Sequence, residues 1–272
     1  MSYPKIAGVT RVRNEEHILL DTLDYYSKIC THGIFALDEA STDATPEILI
    51  ASPDVRHMIE VPTLETDPGK RRAFEGWGRQ QPCDAAIESG AEWILYFDAD
   101  EHIEFDFESF DYSSWDAVSF RLFDFYITPE DIDGFGTWEI PEGRPDEWRT
   151  YGWKCRGWIG PEYRDIPMLF RVSQPDPEGE HRYPKFHDRI PEMQPSCRTF
   201  VAGYDGCVRH YGKAISIVEW EATCDYYARY QPEPFKSKWE ARRGHAIHYL
   251  SDFGQPLCRW VDRERFGIPL VN

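Results

Sequence analysis

Apolar and polar positions along the first hundred residues alternate between strand-like and helix-like spacing. The apolar runs short enough to be buried strands cover residues 5–12, 34–37, 55–61 and 93–97. Between the first two runs, Leu19, Leu23 and Tyr26 recur at the spacing of one helix face. Thr45 and Pro46 have the chemistry of a helix start, and a further helix is predicted from about 72 to 89. Strands that alternate with helices predict βαβ units, so we expect an α/β protein with a mostly parallel central sheet flanked by helices.

The second half of the chain has a different pattern. Further strands are predicted at 117–126, 168–172 and 206–210. Residues 128–165 are rich in Pro, Gly, Trp and acidic side chains without a period, which indicates a long functional loop. Helical spacing returns at 215–230 and 234–250. We therefore expect one main domain over 1–214 and a helical extension over 215–272 packed on it.

Composition narrows the classes of partner. The chain has 272 residues, 48 acidic against 30 basic, and a formal net charge of −18. Such a charge repels a phosphate backbone at long range and argues against a nucleic-acid partner. No apolar segment reaches the ~20 residues that span a bilayer, and the N-terminus does not resemble a signal peptide. The scattered cysteines are typical of free thiols, so we expect a soluble, cytoplasmic protein without a transmembrane segment.

Polar side chains follow the predicted strands where each strand ends. Asp98 and Asp100 come directly after an apolar run, Asp38 ends the second strand, and Arg11 and Arg13 end the first. The carboxyl ends of parallel strands meet at one sheet edge, where ligands of such sheets bind. Carboxylates packed there are best explained by Mg²⁺ or Mn²⁺, although a solvated acidic turn is the alternative. The arginines could approach a nucleotide, or simply be solvated.

Two further positions could carry chemistry. His210 at a strand end could be a neutral imidazole ligand, which suits Mn²⁺ better than Mg²⁺. Asp188 could be a general base if its surroundings raise its pKa towards neutral. A structural role is the alternative for each residue, and the residues alone leave that choice open.

A set of short motifs occurs in a characteristic order along residues 5–230. They are VRNEE at 12–16, LDEASTDAT at 37–45, RQ at 79–80, WILYFDADE at 93–101, MLFR at 168–171, FHD at 186–188 and VRHY at 208–211. In this order they resemble the motifs of family 2 glycosyltransferases, which have the Rossmann-like GT-A fold. The resemblance is clearest with bacterial enzymes similar to lipopolysaccharide-core glucosyltransferases.

The resemblance implies a metal-dependent, inverting transfer of a sugar from a nucleotide-sugar, with UDP the expected nucleotide, to a glycan or glycolipid hydroxyl. It also implies that the main domain has a nucleotide-binding half at about 1–103 and an acceptor half at about 104–214. It implies these roles: Arg11, Arg13 and Asp38 for base and ribose, Arg79 for ribose or diphosphate, Asp98 for ribose or the metal's water shell, Asp100 and His210 for the metal, and Asp188 for the general base. The family has Glu at the position of Asp188 and Asn at that of Gln80. Glu162 and Asp165 are therefore rival candidates for the base.

Two other functions stay open at this point. Nucleotidyl transfer usually needs a glycine-rich loop after the first strand, and residues 11–14 contain no glycine. A nucleotide-sugar-binding protein without turnover would keep the fold and lose the chemistry. The basic side chains Lys236, Lys238, Arg242 and Arg243 form either a solvated helix face or a contact to an anionic donor.

Overall fold

The structure is a computed structural model that describes residues 3–133, 157–173 and 183–270. The strands are β1 (Ile6–Val12), β2 (Ile34–Glu39), β3 (Val55–Val61), β4 (Trp93–Tyr96), β5 (Glu101–Glu104), β6 (Ala117–Phe125), β7 (Trp158–Arg171), β8 (Thr199–Val201), β9 (Cys207–His210), β10 (Cys258–Arg259) and β11 (Ile268–Pro269). The α-helices are α1 (Leu19–Ser27), α2 (Thr45–Ala51), α3 (Pro68–Glu88), α4 (Pro129–Asp133), α5 (Ile217–Tyr230), α6 (Phe235–Glu240) and α7 (Arg263–Phe266). The predicted strands and helices of the first hundred residues are confirmed to within a few residues.

The strands form one sheet in the order β3-β2-β1-β4-β7-β6-β9-β5, with β8, β10 and β11 attached beside this path. The pairs among β1, β2, β3 and β4 are parallel. β7 pairs antiparallel with both β4 and β6, and β5 pairs antiparallel with β9. β6 nevertheless pairs parallel with β8 and β9, and β11 pairs parallel with β7. The sheet is therefore mixed: the expected parallel pairing holds throughout β1 to β4, and antiparallel pairs occur beyond them. Alternating strands and helices indicate parallel pairing, and beyond β4 the strands follow one another without long intervening helices.

Apolar side chains cover both faces of the parallel half. α1 lies on one face, where Leu19, Leu23 and Tyr26 are buried and the Tyr26 ring stacks on Phe97 at 3.6 Å between centroids. α3 lies on the other face, where Cys83 packs in a cluster with Val9. Because both faces are covered, the ligand-accessible part of this half is the edge at the carboxyl ends of its strands.

The turn after β1 contains a residue type that often caps a helix. Asn14 does not cap α1, because α1 begins at Leu19 and Asn14 has a positive φ of 54°. Its side-chain oxygen accepts a hydrogen bond from the Thr42 amide at 2.8 Å, and the Glu15 amide donates to Thr45 Oγ1 at 2.7 Å. Asn tolerates the left-handed region better than most residues. The turns after β1 and β2 are thereby fixed to each other.

The C-terminal region is helical only in part. α5 and α6 form as expected, but the helix predicted to reach residue 250 ends with α6 at Glu240, and β10 and β11 pair with β7. The predicted loop 128–165 is also wrong at its end, because residues 158–165 belong to β7. Most of that loop, with Trp138, Trp148 and Trp153, lies outside the described residues. Among the described helices, none is long and apolar enough to cross a membrane.

Candidate functional site

A polar cleft of about 490 Å³ lies where β1, β2 and β4 end, and α5 and α6 form its opposite wall. The predicted site residues that line it are Arg11, Arg13, Arg79, Asp98, Asp100 and His210. These positions are distant in sequence, so the sheet edge brings them together as expected. Asp38, Asp188, Glu162 and Asp165 are not among the residues that line the cleft.

Strand register places an acidic group on each side of His210. β5 pairs with β9 so that Glu101 is opposite His210, and β9 pairs with β6 so that His210 is opposite Asp124. Asp100 directly precedes β5, and its carbonyl accepts a hydrogen bond from the Tyr211 amide at 2.8 Å. The imidazole therefore lies between two carboxylates, with Nε2 3.3 Å from Asp100 Oδ2 and Nδ1 2.5 Å from Asp124 Oδ1.

This arrangement fits a divalent cation. Ligand atoms of Asp100, Glu101 and His210 all lie within 4.8 Å of one another. Glu101 is already bound by Arg189, so Asp100 and His210 are the available donors. A Cβ atom on Gly212 would lie 2.6 Å from Asp100 Oδ2 and 3.0 Å from His210 Nε2, so the glycine keeps this space open. Carboxylate and imidazole together suit Mn²⁺ better than Mg²⁺.

The second ring nitrogen of His210 has the partner that a metal-binding histidine needs. Metal-ligating histidines usually donate their other N–H to a carboxylate, which fixes the tautomer and the ring orientation. Asp124 occupies that position at Nδ1. Burial lowers the pKa of His210, but Asp100 and Asp124 outweigh this effect and raise that pKa to about 10. The two carboxylates therefore favour a positive charge at this point of the cleft, which is the charge that a divalent ion would supply.

Replacing Asp124 with asparagine is expected to weaken Mn²⁺ binding roughly 10- to 100-fold, because His210 loses its charged orienting partner. Titration of free Mn²⁺ by electron paramagnetic resonance measures this affinity without any turnover. Asp116→Asn is the matched control, since Asp116 binds Arg198 away from the cleft. An unchanged Mn²⁺ affinity in Asp124→Asn would remove Asp124 from the metal site.

Arg189 directly follows the FHD motif at 186–188, and its side chain enters the cleft. Its guanidinium donates to Asp98 Oδ2 at 2.9 Å and to the carboxylate of Glu101. Burial raises the pKa of Asp98, but Arg189 and then Arg79 outweigh it and hold that pKa below its ordinary value. Glu101 is fully buried, and burial raises its pKa despite Arg189. Arg189 was not among the site residues predicted from the sequence, although Arg189 directly follows the predicted residue Asp188.

Arg79 lies behind Asp98 and contacts it through Tyr96. The Arg79 Nε donates to the Tyr96 hydroxyl at 2.8 Å, and that hydroxyl donates to Asp98 Oδ1 at 2.5 Å. Arg79 is 7% exposed. Since Tyr96 comes from β4 and Arg79 from α3, this relay fixes the orientation of the Asp98 carboxylate. Its orientation is thus set before any ligand arrives.

Glu39 at the end of β2 binds two arginines, one from β1 and one from α3. Arg11 donates to Glu39 Oε2 at 2.7 Å, and Arg71 of α3 binds the other carboxylate oxygen. Arg13 donates only to the carbonyls of Glu39 and Ala40, and its guanidinium lies 5.5 Å from the centre of the Tyr226 ring. Arg13 therefore has a charge that no carboxylate of the described residues neutralises.

Asp38 lies beside the cleft, and Glu39 takes the lining position. Asp38 is 1% exposed, and its Oδ2 accepts a hydrogen bond from the Ser41 amide at 3.2 Å. Its Oδ1 is buried and has no hydrogen-bond partner among the described residues. Burial raises the pKa of this carboxyl. An acceptor without a donor is costly, so a donor from a bound ligand would be favourable there.

The three candidate bases lie in different surroundings. Asp188 is exposed, and its Oδ1 accepts a hydrogen bond from the Arg189 amide at 2.7 Å. Glu162 is 8% exposed and accepts a hydrogen bond from Ser251 Oγ at 2.7 Å. Asp165 forms an ion pair with Arg121 at 3.1 Å. Of the three, Asp188 lies one residue from a side chain that enters the cleft.

Several cleft residues were not assigned from the sequence. They are Glu15, Arg71, Asp124, Arg189, Lys213, Glu219, Tyr226 and Asp252. Glu15 belongs to the VRNEE motif, and burial, followed by the charges of Asp100 and Glu219, raises its pKa well above its ordinary value. Crowded carboxyls of this kind favour a bound cation. The motif was a usable signal for Glu15, whereas Asp124 and Asp252 lie outside any motif.

No protein-family model matches the chain, and no curated protein matches it. The crystal structure of S. aureus TarS 1–349 in complex with UDP is 19% identical over 50% of this chain and 38% of that chain, with a TM-score of 0.29. The crystal structure of S. aureus TarS 1–349 is 12% identical over 87% of this chain and 68% of that chain, with a TM-score of 0.33. At these TM-scores the likeness assigns no property to this protein.

The fold and the cleft define the structural class of this protein. The protein has a mixed α/β fold, and its parallel strands end at a polar cleft. The cleft contains arginines on one wall and also contains Asp100, Asp124 and His210.

Proposed function

We propose that this protein is a metal-dependent glycosyltransferase that moves a sugar from a nucleotide-sugar donor, with UDP the expected nucleotide, to a hydroxyl of a glycan or glycolipid. The observation that carries this proposal is the row of Asp100, His210 and Asp124 in the same cleft as Arg11 and Arg13. One part of the cleft suits a divalent cation, and the adjoining wall suits a nucleotide. A nucleoside-diphosphate leaving group requires both.

Different residues of the cleft would bind the nucleoside and the metal ion. Arg13 and Tyr226 would contact the nucleoside. Asp38, which the sequence motif suggests for base or ribose, is buried and does not line the cleft, so it would need a local rearrangement to reach the ligand. Asp100 and His210 would hold Mn²⁺ or Mg²⁺, with Asp98 near the ribose or the metal's water shell. When bound, the ion would neutralise charge on the departing diphosphate as a Lewis acid.

The reaction we propose is a single in-line displacement. The acceptor oxygen forms a bond to the anomeric carbon while the bond from that carbon to the diphosphate oxygen breaks, and the configuration inverts. A general base takes the proton of the acceptor hydroxyl. Asp188 is the candidate base that the FHD motif suggests, and it directly precedes Arg189, whose side chain enters the cleft.

Asp188→Asn is expected to leave donor binding intact and to lower turnover by ~10²-fold, since only the proton acceptor is lost. Turnover is measured from nucleotide release in the presence of acceptor, and donor affinity by calorimetry. Glu162→Gln and Asp165→Asn are the matched comparisons. A turnover close to that of the wild type in Asp188→Asn would exclude it as the base, and a loss in one of the other two variants would move the role there.

The proposed function itself is tested by nucleotide binding. Thermal unfolding with UDP-, GDP-, dTDP- and CMP-sugars, each with Mn²⁺ and with EDTA, should show stabilisation by one nucleotide that disappears with EDTA. At a hundredfold excess over the dissociation constant the stabilisation is about 2.7 kcal/mol. No stabilisation by any nucleotide would reject the proposal. Mn²⁺-dependent donor hydrolysis distinguishes an enzyme from a nucleotide-sugar-binding protein without turnover.

A further inference from the structure

The C-terminal side of the cleft has a group of cations that the proposed reaction does not use. Lys213 follows β9, Lys238 lies on α6, and Arg242 follows α6. We call these three residues the cationic wall. Trp239 and Phe253 line the same part of the cleft. In a chain of net charge −18, cations gathered at one place indicate a specific anionic partner.

Ion pairs connect the cationic wall to the candidate metal site. Asp124 binds His210 Nδ1 at 2.5 Å and Lys213 Nζ at 2.6 Å. Asp252 binds Lys213 Nζ at 2.9 Å and also binds Arg242. Positive and negative groups thus alternate from His210 to Arg242. Lys213 and Arg242 have carboxylate partners, and their side chains are 10% and 14% exposed, so their positions are fixed.

Lys238 has no such partner. Among the described residues, no carboxylate forms an ion pair with it, although Lys236 on the same helix pairs with Glu240 at 4.0 Å. Lys238 is exposed at the cleft, and burial of part of its side chain, followed by the charge of Arg242, lowers its pKa. Asp252 and Asp124 favour the charged form of Lys238, but both carboxylates already pair with Lys213, and Asp252 also pairs with Arg242. These three cations therefore share two carboxylates, and an anionic ligand would supply the charge that is missing.

The donor diphosphate has other partners in the proposed site. Asp100 and His210, the candidate metal ligands, line the same cleft, and a divalent ion held by them would neutralise the diphosphate. Trp239, next to Lys238, stacks on Tyr227 at 4.7 Å between ring centroids, and the Arg242 guanidinium lies 4.5 Å from the centre of the Trp239 ring. These contacts hold Arg242 and the helix that contains Lys238 against the cleft.

We propose that the cationic wall binds an anionic group other than the donor diphosphate, namely a carboxylate or phosphate carried by the transferred sugar or by the acceptor. Lys238 makes the direct contact, and the ion pairs of Lys213 and Arg242 with Asp124 and Asp252 fix the surface beside it. This inference rests on the proposed glycosyl transfer and adds a substrate class to it: an acidic sugar.

The test compares charged and neutral sugars at equilibrium in wild type, Lys238→Met and the control Lys236→Met. The donor arm measures the binding of UDP, UDP-glucose and UDP-glucuronate with Mn²⁺ by calorimetry. The acceptor arm measures methyl glucuronide, glucose 6-phosphate and methyl glucoside in the presence of saturating UDP and Mn²⁺. UDP alone reports on the donor site, so a protein that binds UDP but prefers no acidic sugar fails this inference and not the proposed function.

The wild type is expected to bind the acidic ligand of one arm roughly 10-fold or more tightly than its neutral counterpart, as for one charge-assisted hydrogen bond. Lys238→Met should remove this preference and leave UDP affinity unchanged, and Lys236→Met should keep both. A preference in the donor arm assigns the anion to the transferred sugar, and one in the acceptor arm to the acceptor. Equal weakening of UDP, UDP-glucose and UDP-glucuronate by Lys238→Met, or no preference in either arm, would overturn the proposal.

Discussion

Replacing Asp100 with asparagine is expected to lower Mn²⁺ affinity by roughly 10²-fold or more, because changing even an outer partner of a metal ligand costs 10- to 100-fold. Asp100 Oδ2 lies 3.3 Å from His210 Nε2, and an amide in its place keeps the shape of the side chain and removes the charge. Turnover of donor should fall by about 10²- to 10³-fold as charge stabilisation of the leaving group is lost. Electron paramagnetic resonance of Mn²⁺ and nucleotide release measure the two effects separately.

Asp106→Asn is the control for that experiment. Asp106 is an exposed carboxylate that accepts a hydrogen bond from the Ser109 amide at 3.0 Å, and it lies outside the cleft lining. It should leave the Mn²⁺ titration unchanged. If Asp100→Asn bound Mn²⁺ as tightly as the wild type, Asp100 would not be a metal ligand, and the metal-dependent mechanism would lose its main support.

Replacing Arg189 with methionine is expected to lower the free energy of unfolding by roughly 3 kcal/mol, the usual cost of removing one partner from a buried ion pair. Glu101 is fully buried and would keep a carboxylate without its cation. Asp98 would also lose the 2.9 Å contact that fixes it in the cleft. Urea unfolding measures the change, and an unaltered slope with a lower midpoint would show that stability alone has changed.

The double variant Arg189→Met/Glu101→Gln isolates the cause of that loss. Removing the buried charge together with its partner should recover a large part of the stability, because an uncharged amide is far less costly to bury than an unpaired carboxylate. Arg198→Met is the control: the Arg198 side chain is 57% exposed, and Asp116 keeps Arg171 as a second partner. Its loss should therefore cost only about 0–1 kcal/mol. A double variant as unstable as Arg189→Met would show that packing of the arginine, not charge, is responsible.

The parallel half of the fold and much of its cleft could be predicted from the sequence. An apolar run that ends in Asp98 and Asp100 identifies a buried strand and its carboxyl end from local pattern alone. The alternation of strands and helices implies that such ends meet at one edge. Arg11, Arg13 and Asp100 were placed in one site by that rule, which needs no knowledge of distant contacts.

The second half could not be predicted in the same way. Pairing of β7 with both β4 and β6 depends on antiparallel register between segments far apart in sequence, and β7 begins within a stretch that shows no clear period. Asp124 is a polar residue in a largely apolar strand. Only the strand register, which places Asp124 opposite His210, shows that it can orient this histidine. Arg189 and Asp188 are adjacent, and the packing of their segment decides that Arg189 enters the cleft.

The sequence by itself determined the parallel sheet, its functional edge and the acidic residues there, because strand periodicity and strand ends are local properties. Only the tertiary structure decided which charges neutralise one another. Ion pairs such as Lys213 with Asp124 and Asp252 join residues that are remote along the chain, and they leave Arg13 and Lys238 without a carboxylate among the described residues. A charge's partner is set by distance in space, and no spacing in the sequence encodes that distance.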